Sequence, residues 1–202
     1  MKIKICGLTS SLEAVYLNEQ QIDFAGMVLF FPKSKRNITI AQAKEIMKAL
    51  RPEIQKVAVV VSPDLQQVRE IEAAGFDYIQ IHGELKEELL SEIHLPILKA
   101  FNVTDMKRYE QYHQCEKIAG YVFDACEPGS GKTFDWSLVQ QIPRDEKLLL
   151  LAGGLHAGNV EEAIRYVQPD GVDVSSGVEK SDGCGKDPKK IKAFVDCVRQ
   201  AQ

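Results

Sequence analysis

Short apolar runs recur along the chain, and each is followed by a stretch in which apolar residues return every three or four positions. The runs, rich in Val, Ile, Leu and Phe, fall at residues 2–6, 24–30, 56–62, 78–82, 97–101, 120–124, 148–152 and 171–174. The helical spacing lies between them, at 12–20, 40–50, 65–74, 86–93, 106–114, 136–141, 157–167 and 188–199. Brief continuous apolar runs mark strands buried on both faces, and a 3.6-residue period marks helices. The pattern therefore predicts eight strands alternating with eight helices. Two helix starts have a local cause: Ser62-Pro63-Asp64 and Asp187-Pro188 set a capping carboxylate beside a proline suited to a first turn.

Strands that alternate with helices form a parallel sheet covered by those helices. An open doubly wound sheet and a closed barrel both satisfy that rule. Eight strand–helix units in 202 residues favour the closed α/β form, a (βα)8 TIM barrel at the lower end of its length range. No linker, internal repeat or low-complexity stretch interrupts the pattern, so residues 1–202 are expected to form a single catalytic domain.

Charge and cysteine content narrow the partners. A net charge of −4 offers no basic field for a polyanion, so nucleic acid is not an expected partner. No apolar run approaches the roughly 20 residues that span a bilayer, and residues 2–6 lead directly into a strand. A cytoplasmic protein without a membrane partner is expected, as a monomer or a homodimer. Five cysteines, at 6, 115, 126, 184 and 197, form an odd set without C-x-x-C spacing. They read as reduced thiols rather than a disulfide frame or a zinc site, and no metal is expected.

The segment from Lys147 to Gly177 carries the clearest binding signal. Its two strands end in Gly153-Gly154 and in Ser175-Ser176-Gly177, with a helical stretch between them. Small residues let a backbone approach a ligand with successive N–H groups pointing at an anion, and a helix starting beyond each turn would add its positive end. In an eight-stranded barrel the turns after the seventh and eighth strands commonly hold phosphate. Gly153, Gly154, Ser175, Ser176 and Gly177 are therefore the expected phosphate-binding residues.

Active residues of such a barrel lie at the carboxyl ends of the strands. Cys6 ends the first strand before a glycine, either as a small buried hydrophobe or as a base, which would require a lowered pKa. Asp124 follows three large apolar residues, Tyr121-Val122-Phe123, where a mere surface charge fits poorly. Arg36 lies in a cationic loop and could grip a carboxylate with two parallel hydrogen bonds. His82 stands two residues after Gln80, and the pair could satisfy each other. Asp173 lies within a strand, where an unpaired carboxylate is costly, so it needs a barrel lysine or the ligand as partner. Residues 125–133 contain two glycines and no apolar anchor, which suits a loop that closes over a ligand. Gly131-Lys132-Thr133 does not complete a nucleotide phosphate loop, because position 126 is Cys rather than Gly.

Taken in order, these segments resemble the phosphoribosylanthranilate isomerase family of tryptophan biosynthesis. The resemblance rests on Lys4-Ile5-Cys6-Gly7, Ser34-Lys35-Arg36, Gln80-Ile81-His82-Gly83, Asp124 with Gly131-Lys132-Thr133-Phe134-Asp135-Trp136, Leu151-Ala152-Gly153-Gly154-Leu155 with Asn159-Val160, Val172-Asp173-Val174-Ser175-Ser176-Gly177-Val178-Glu179, and Lys186-Asp187. It implies a (βα)8 barrel and an Amadori rearrangement of a phosphosugar without any cofactor. It further implies Cys6 as general base, Asp124 as general acid, Arg36 on the substrate carboxylate, and Asp173 and His82 near the substrate. Lys35 stands where the family often has Pro, and the Asp124 loop carries Pro128. Two other readings stay open. One is a related phosphosugar barrel enzyme such as an indole-glycerol-phosphate synthase, which would place lysines differently; here only Lys4 and Lys99 lie in strands near such ends. The other is a phosphosugar sensor without turnover.

Overall fold

The structure, a computed structural model, describes residues 1–102, 109–125, 134–183 and 185–201. Among these residues nine parallel strands follow one another as β1 (Lys2–Cys6), β2 (Phe24–Leu29), β3 (Asn37–Ile38), β4 (Gln55–Val61), β5 (Tyr78–His82), β6 (Ile97–Asn102), β7 (Ile118–Asp124), β8 (Leu148–Leu151) and β9 (Gly171–Val174). All but β3 form a ring, because β1 pairs with β9 on one edge and with β2 on the other. The expected closed barrel is thus present.

Helices α1 (Ser11–Asn18), α2 (Ile40–Ala49), α3 (Leu65–Ala74), α4 (Glu87–Glu92), α5 (Tyr109–His113), α6 (Ser137–Gln140), α7 (Val160–Val167) and α8 (Pro188–Gln200) cover the outside. Asp64 caps α3 by accepting from the Gln67 amide, and Asp187 caps α8 with Pro188 in the first turn, as the sequence indicates. The fifth helix expected at 106–114 is described only from Tyr109, and residues 103–108 lie outside the described set. The seventh begins at Val160 rather than 157, since the amides of Asn159 and Val160 both turn back to the His156 carbonyl.

Side chains of a strand alternate between its two faces, and that parity sorts the core. Ile3, Ile5, Ala25, Met27, Val60, Ile79, Ile81 and Leu151 face outward into the large cluster shared with the helices. Phe24, Val57, Val59, Leu98, Val122 and Leu150 face inward and plug the lower barrel. Lys4, Cys6, Gln80, His82, Asp124 and Asp173 continue those inward rows toward the carboxyl ends. Polarity therefore rises along each inward row, and the packed plug forces the chemistry to one mouth.

The sequence pattern did not anticipate β3. Val28 pairs with Val59 of β4 and also with Asn37, so β3 takes the edge of β2 that β1 leaves when it ends at Cys6. The loop between β2 and β3 is tied by the Asn37 side chain, which accepts from the Phe31 amide at 2.7 Å. This brings Arg36 back over Gly7, where an added Cβ would meet the Arg36 side chain at 2.5 Å.

Candidate active site

At the carboxyl ends of the strands lies a cavity of about 640 Å³, lined by Cys6, Arg36, His82, Asp124, Gly153, Gly154, Asp173, Ser175 and Ser176 among others. That volume suits a small-molecule ligand. Of the residues nominated from sequence, Gly177 is not part of the lining. A Cβ on Gly177 would lie 2.0 Å from the Leu155 carbonyl oxygen, so its bare backbone packs the turn after β9 onto the turn after β8. Gly177 thus joins the two turns.

The floor is an ion pair. Lys4 and Asp173 are register partners in β1 and β9, and Lys4 Nζ donates to Asp173 Oδ2 at 2.7 Å with both side chains almost fully buried. Asp173 thereby finds the barrel lysine that its position required. Burial pulls the Lys4 ammonium toward neutrality, but Asp173 and Cys6 more than offset this and hold it above its ordinary range. Asp173 Oδ1 is buried without a hydrogen-bond partner among the described residues.

Cys6 lies two positions beyond Lys4 on the same face, and the Lys4 ammonium draws its thiol down. Gly26 is opposite Cys6, and a Cβ there would be 2.9 Å from Cys6 Sγ and 3.2 Å from Lys4 Nζ. The missing side chain lets thiol and ammonium share one pocket. A lowered thiol pKa is the requirement for a base, yet burial pushes Cys6 up, against the pull of Lys4 and Lys186. Desolvation wins over the nearby cations.

Asp124 is shifted the other way from an exposed carboxylate. Burial, followed by the charge of Asp173, lifts its carboxyl to about 6, although the Ala125 amide donates to its Oδ1 at 2.8 Å. A carboxyl near 6 still holds protons close to neutral pH and can deliver one.

Arg36 is held from behind. Its Nε donates to Glu179 Oε1, Lys35 reaches Oε2 of the same carboxylate at 2.8 Å, and Lys186 stands 3.5 Å away. Burial would raise the Glu179 pKa, but the hydrogen bonds from Arg36 and Lys35 hold it at about 2. Lys35 is thus part of this clamp. Lys186 also donates to the Ser175 carbonyl at 3.1 Å, tying the clamp to the turn after β9.

His82 and Gln80 meet through one contact, Gln80 Nε2 2.9 Å from His82 Nε2, while Gln80 Oε1 is buried without a hydrogen-bond partner among the described residues. Burial and the charges of Lys99 and Lys4 push His82 down to about 3. The ring is therefore neutral. Lys99, buried in β6, donates to the carbonyls of Ala100 at 2.8 Å, Gly83 at 3.0 Å and Ile81 at 3.3 Å, fixing the strand ends beneath the ring.

The two anion turns differ from each other. Gly153 has φ +85, and a Cβ there would lie 2.7 Å from the Ala125 amide nitrogen, so only glycine fits. Asn159 braces this turn by donating to the Gly154 carbonyl at 3.0 Å and accepting from the His156 amide at 2.8 Å, and α7 starts just beyond. After β9 comes a single 3-10 turn at Ser176–Val178 instead of an α-helix. The second helix dipole expected at this site is therefore replaced by one turn of 3-10 helix. No described residue accepts a backbone hydrogen bond from the amides of Gly153, Gly154, Ser176 or Gly177. The loop expected to close over the ligand falls on residues 126–133, outside the described residues.

Residues 3–197 match the family described as N-(5'-phosphoribosyl)anthranilate (PRA) isomerase. The chain belongs to the phosphoribosylanthranilate isomerase family. It is 38% identical over 200 residues to the N-(5'-phosphoribosyl)anthranilate isomerase of Streptococcus gordonii, covering 98% of this chain and 97% of that one. The crystal structure of the isomerase from Thermotoga maritima superposes with a TM-score of 0.87 at 33% identity and covers 99% of each chain. A phosphoribosyl anthranilate isomerase in complex with reduced 1-(o-carboxyphenylamino)-1-deoxyribulose 5-phosphate gives 0.82 at 33% identity, again over 99% of each.

Within this isomerase family fold, sequence reasoning nominated the residues that face the cavity and missed those behind them. Lys4 had a signal, a charge in an otherwise apolar inward row that demanded a counter-charge. Glu179 and Lys186 stood in stretches that carry the family resemblance but had no chemical signal of their own, because their partners are set by the closure of the chain rather than by local spacing.

Proposed function

We propose that the chain isomerises N-(5'-phosphoribosyl)anthranilate to 1-(2-carboxyphenylamino)-1-deoxyribulose 5-phosphate in tryptophan biosynthesis, with Asp124 as general acid and Cys6 as general base. The observation that carries this reading is that a thiol and a carboxyl lifted to about 6 open onto one cavity beside two anion-binding turns.

Asp124 gives its proton to the furanose ring oxygen while the anilino nitrogen pushes the C1–O bond open, leaving a protonated imine. Cys6 then removes the proton from C2, and that electron pair neutralises the nitrogen as an enolamine. The enolamine tautomerises to the C2 ketone, so C1 is reduced as C2 is oxidised and no external redox partner is needed. Each placed proton transfer is worth about 10²- to 10⁴-fold. The phosphate sits on the two turns, Gly153-Gly154 and Ser175-Ser176-Gly177, with Gly177 also joining them. Arg36 grips the anthranilate carboxylate, and His82 and Asp173 meet the sugar end of the substrate.

A fluorescence assay of phosphoribosylanthranilate consumption tests the reading. Loss of the substrate signal with stoichiometric product is expected, and no turnover by folded protein would reject it.

A further inference from the structure

The mechanism asks two neighbouring groups for opposite behaviour, since the thiol must release a proton while the carboxyl keeps one. What lies beneath both is the Lys4–Asp173 pair. Lys4 is on the strand of Cys6 and shares its inward face, with the bare Gly26 giving room for both heads. Asp173 is one strand round the barrel, turns Oδ2 to Lys4 at 2.7 Å, and has its second oxygen buried and without a partner among the described residues. Asp173 lines the cavity that Asp124 also lines, whereas Lys4 lies below it. The pair therefore has a direction: positive toward the thiol, negative toward the cavity that the carboxyl faces.

Resting on the acid–base assignment above, we propose that Lys4 and Asp173 are positioning residues, an oriented buried ion pair that polarises Cys6 and Asp124 in opposite senses and so favours the state with the proton on the carboxyl and off the thiol.

The balance of charges agrees with that orientation. At Cys6, the pull of Lys4 exceeds the push of Asp173. At Asp124, the push of Asp173 exceeds the pull of Lys4. Other described charges facing these groups act on one alone: Lys186 draws Cys6 down, and Arg36 draws Asp124 down. Burial raises both groups and separates neither. Lys186 adds to the separation by drawing the base down alone; among the described charges only the pair acts on both groups, and in opposite senses, because each group meets a different end of it. In a low-dielectric floor such a fixed dipole acts without reorganising.

The pair predicts a signature that a merely structural ion pair lacks. Replacing both members by near-isosteres, Lys4→Met with Asp173→Asn, should move the Cys6 titration up and the Asp124 titration down, each by about one pH unit. Asp173→Asn alone should move both down, because both groups feel that carboxylate as a raising charge. The readouts need no substrate. Cys6 is followed by the pH dependence of its alkylation by iodoacetamide, quantified on the peptide containing it, and Asp124 by carboxyl ¹³C NMR with Asp124→Asn as the assignment control. If the double variant does not fold, the single variant decides: both titrations falling supports the pair, and either remaining in place overturns it. In a folded double variant, unmoved titrations, or both moving the same way, overturn it too. These titrations stand apart from turnover, so a wild-type chain that fails to consume phosphoribosylanthranilate counts against the proposed activity and not against the pair.

Discussion

Arg36 and Glu179 meet across the barrel mouth although they are 143 residues apart in sequence, with the Arg36 Nε donating to Glu179 Oε1. Glu179 does not line the ligand cavity, yet it fixes the guanidinium that does. Substituting Arg36 by Ala should raise KM by the equivalent of about 1.5–3 kcal/mol, the range for a lost charge-assisted hydrogen bond. Glu179→Gln should raise KM by about 1 kcal/mol with kcat changed less than about threefold, since it loosens the grip without removing it. Steady-state kinetics at saturating and limiting substrate separate these effects. An unchanged KM in the Arg36 variant would place the substrate carboxylate elsewhere.

Cys6→Ala and Asp124→Asn should each lower kcat by roughly 10³-fold with KM within about tenfold, because neither group anchors the ground state. Near-normal turnover by either variant removes that residue from the chemistry.

Asp124 also makes the fold sensitive to pH. Its carboxyl lies at about 6 in the folded chain against an ordinary 3.8, so the folded state binds the proton more tightly than the unfolded state. The contribution to stability is therefore full below 3.8 and is lost as pH rises from there through about 6. The loss should amount to roughly 2–3 kcal/mol. Asp124→Asn cannot ionise and should be more stable than wild type by about that amount at pH 7.5, with the gap closing near pH 4. Urea unfolding at the two pH values measures it, and a gap independent of pH would contradict the raised carboxyl.

His82 should stay neutral across the range in which histidines ordinarily titrate. Its imidazole ¹³C or ¹⁵N shifts should be flat from pH 8 down to about 4 and move only as pH approaches about 3. A midpoint near 6.5 would show that the ring is more hydrated than its burial implies.

Gly177→Ala tests the joint between the two anion turns. With the Leu155 carbonyl where a Cβ would go, one turn must shift from the other. The expected result is a lowered melting temperature and a KM for substrate raised by about tenfold or more, because a phosphate seated on one turn would no longer reach the amides of the other. Wild-type affinity for inorganic phosphate would refute the joint.

The barrel was legible because its signals are local and periodic. Inward and outward rows follow from alternation, and helix starts such as Asp64 and Asp187 follow from capping chemistry. Asp173 announced itself as a charge that needed a partner. What could not be read is whatever depends on closure. The β3 strand exists only because β1 stops at Cys6 and leaves an edge of β2 open. The Glu179 clamp joins two loops that no spacing rule links. The extra 3-10 turn after β9 took the place of a helix because Ser176–Val178 folds back on itself before Glu179 turns away. The raised Cys6 thiol was equally hidden, since whether burial or cations dominate depends on distances rather than on residue types.

The ring closes where its two ends meet, with β1 zipped to β9. Lys4 is made 169 residues before its partner Asp173. Until then the first strand carries a cation that cannot be sequestered without a mate, so it has reason to stay in water. The nascent chain should thus remain open, and the arrival of a single late carboxylate seals the cylinder.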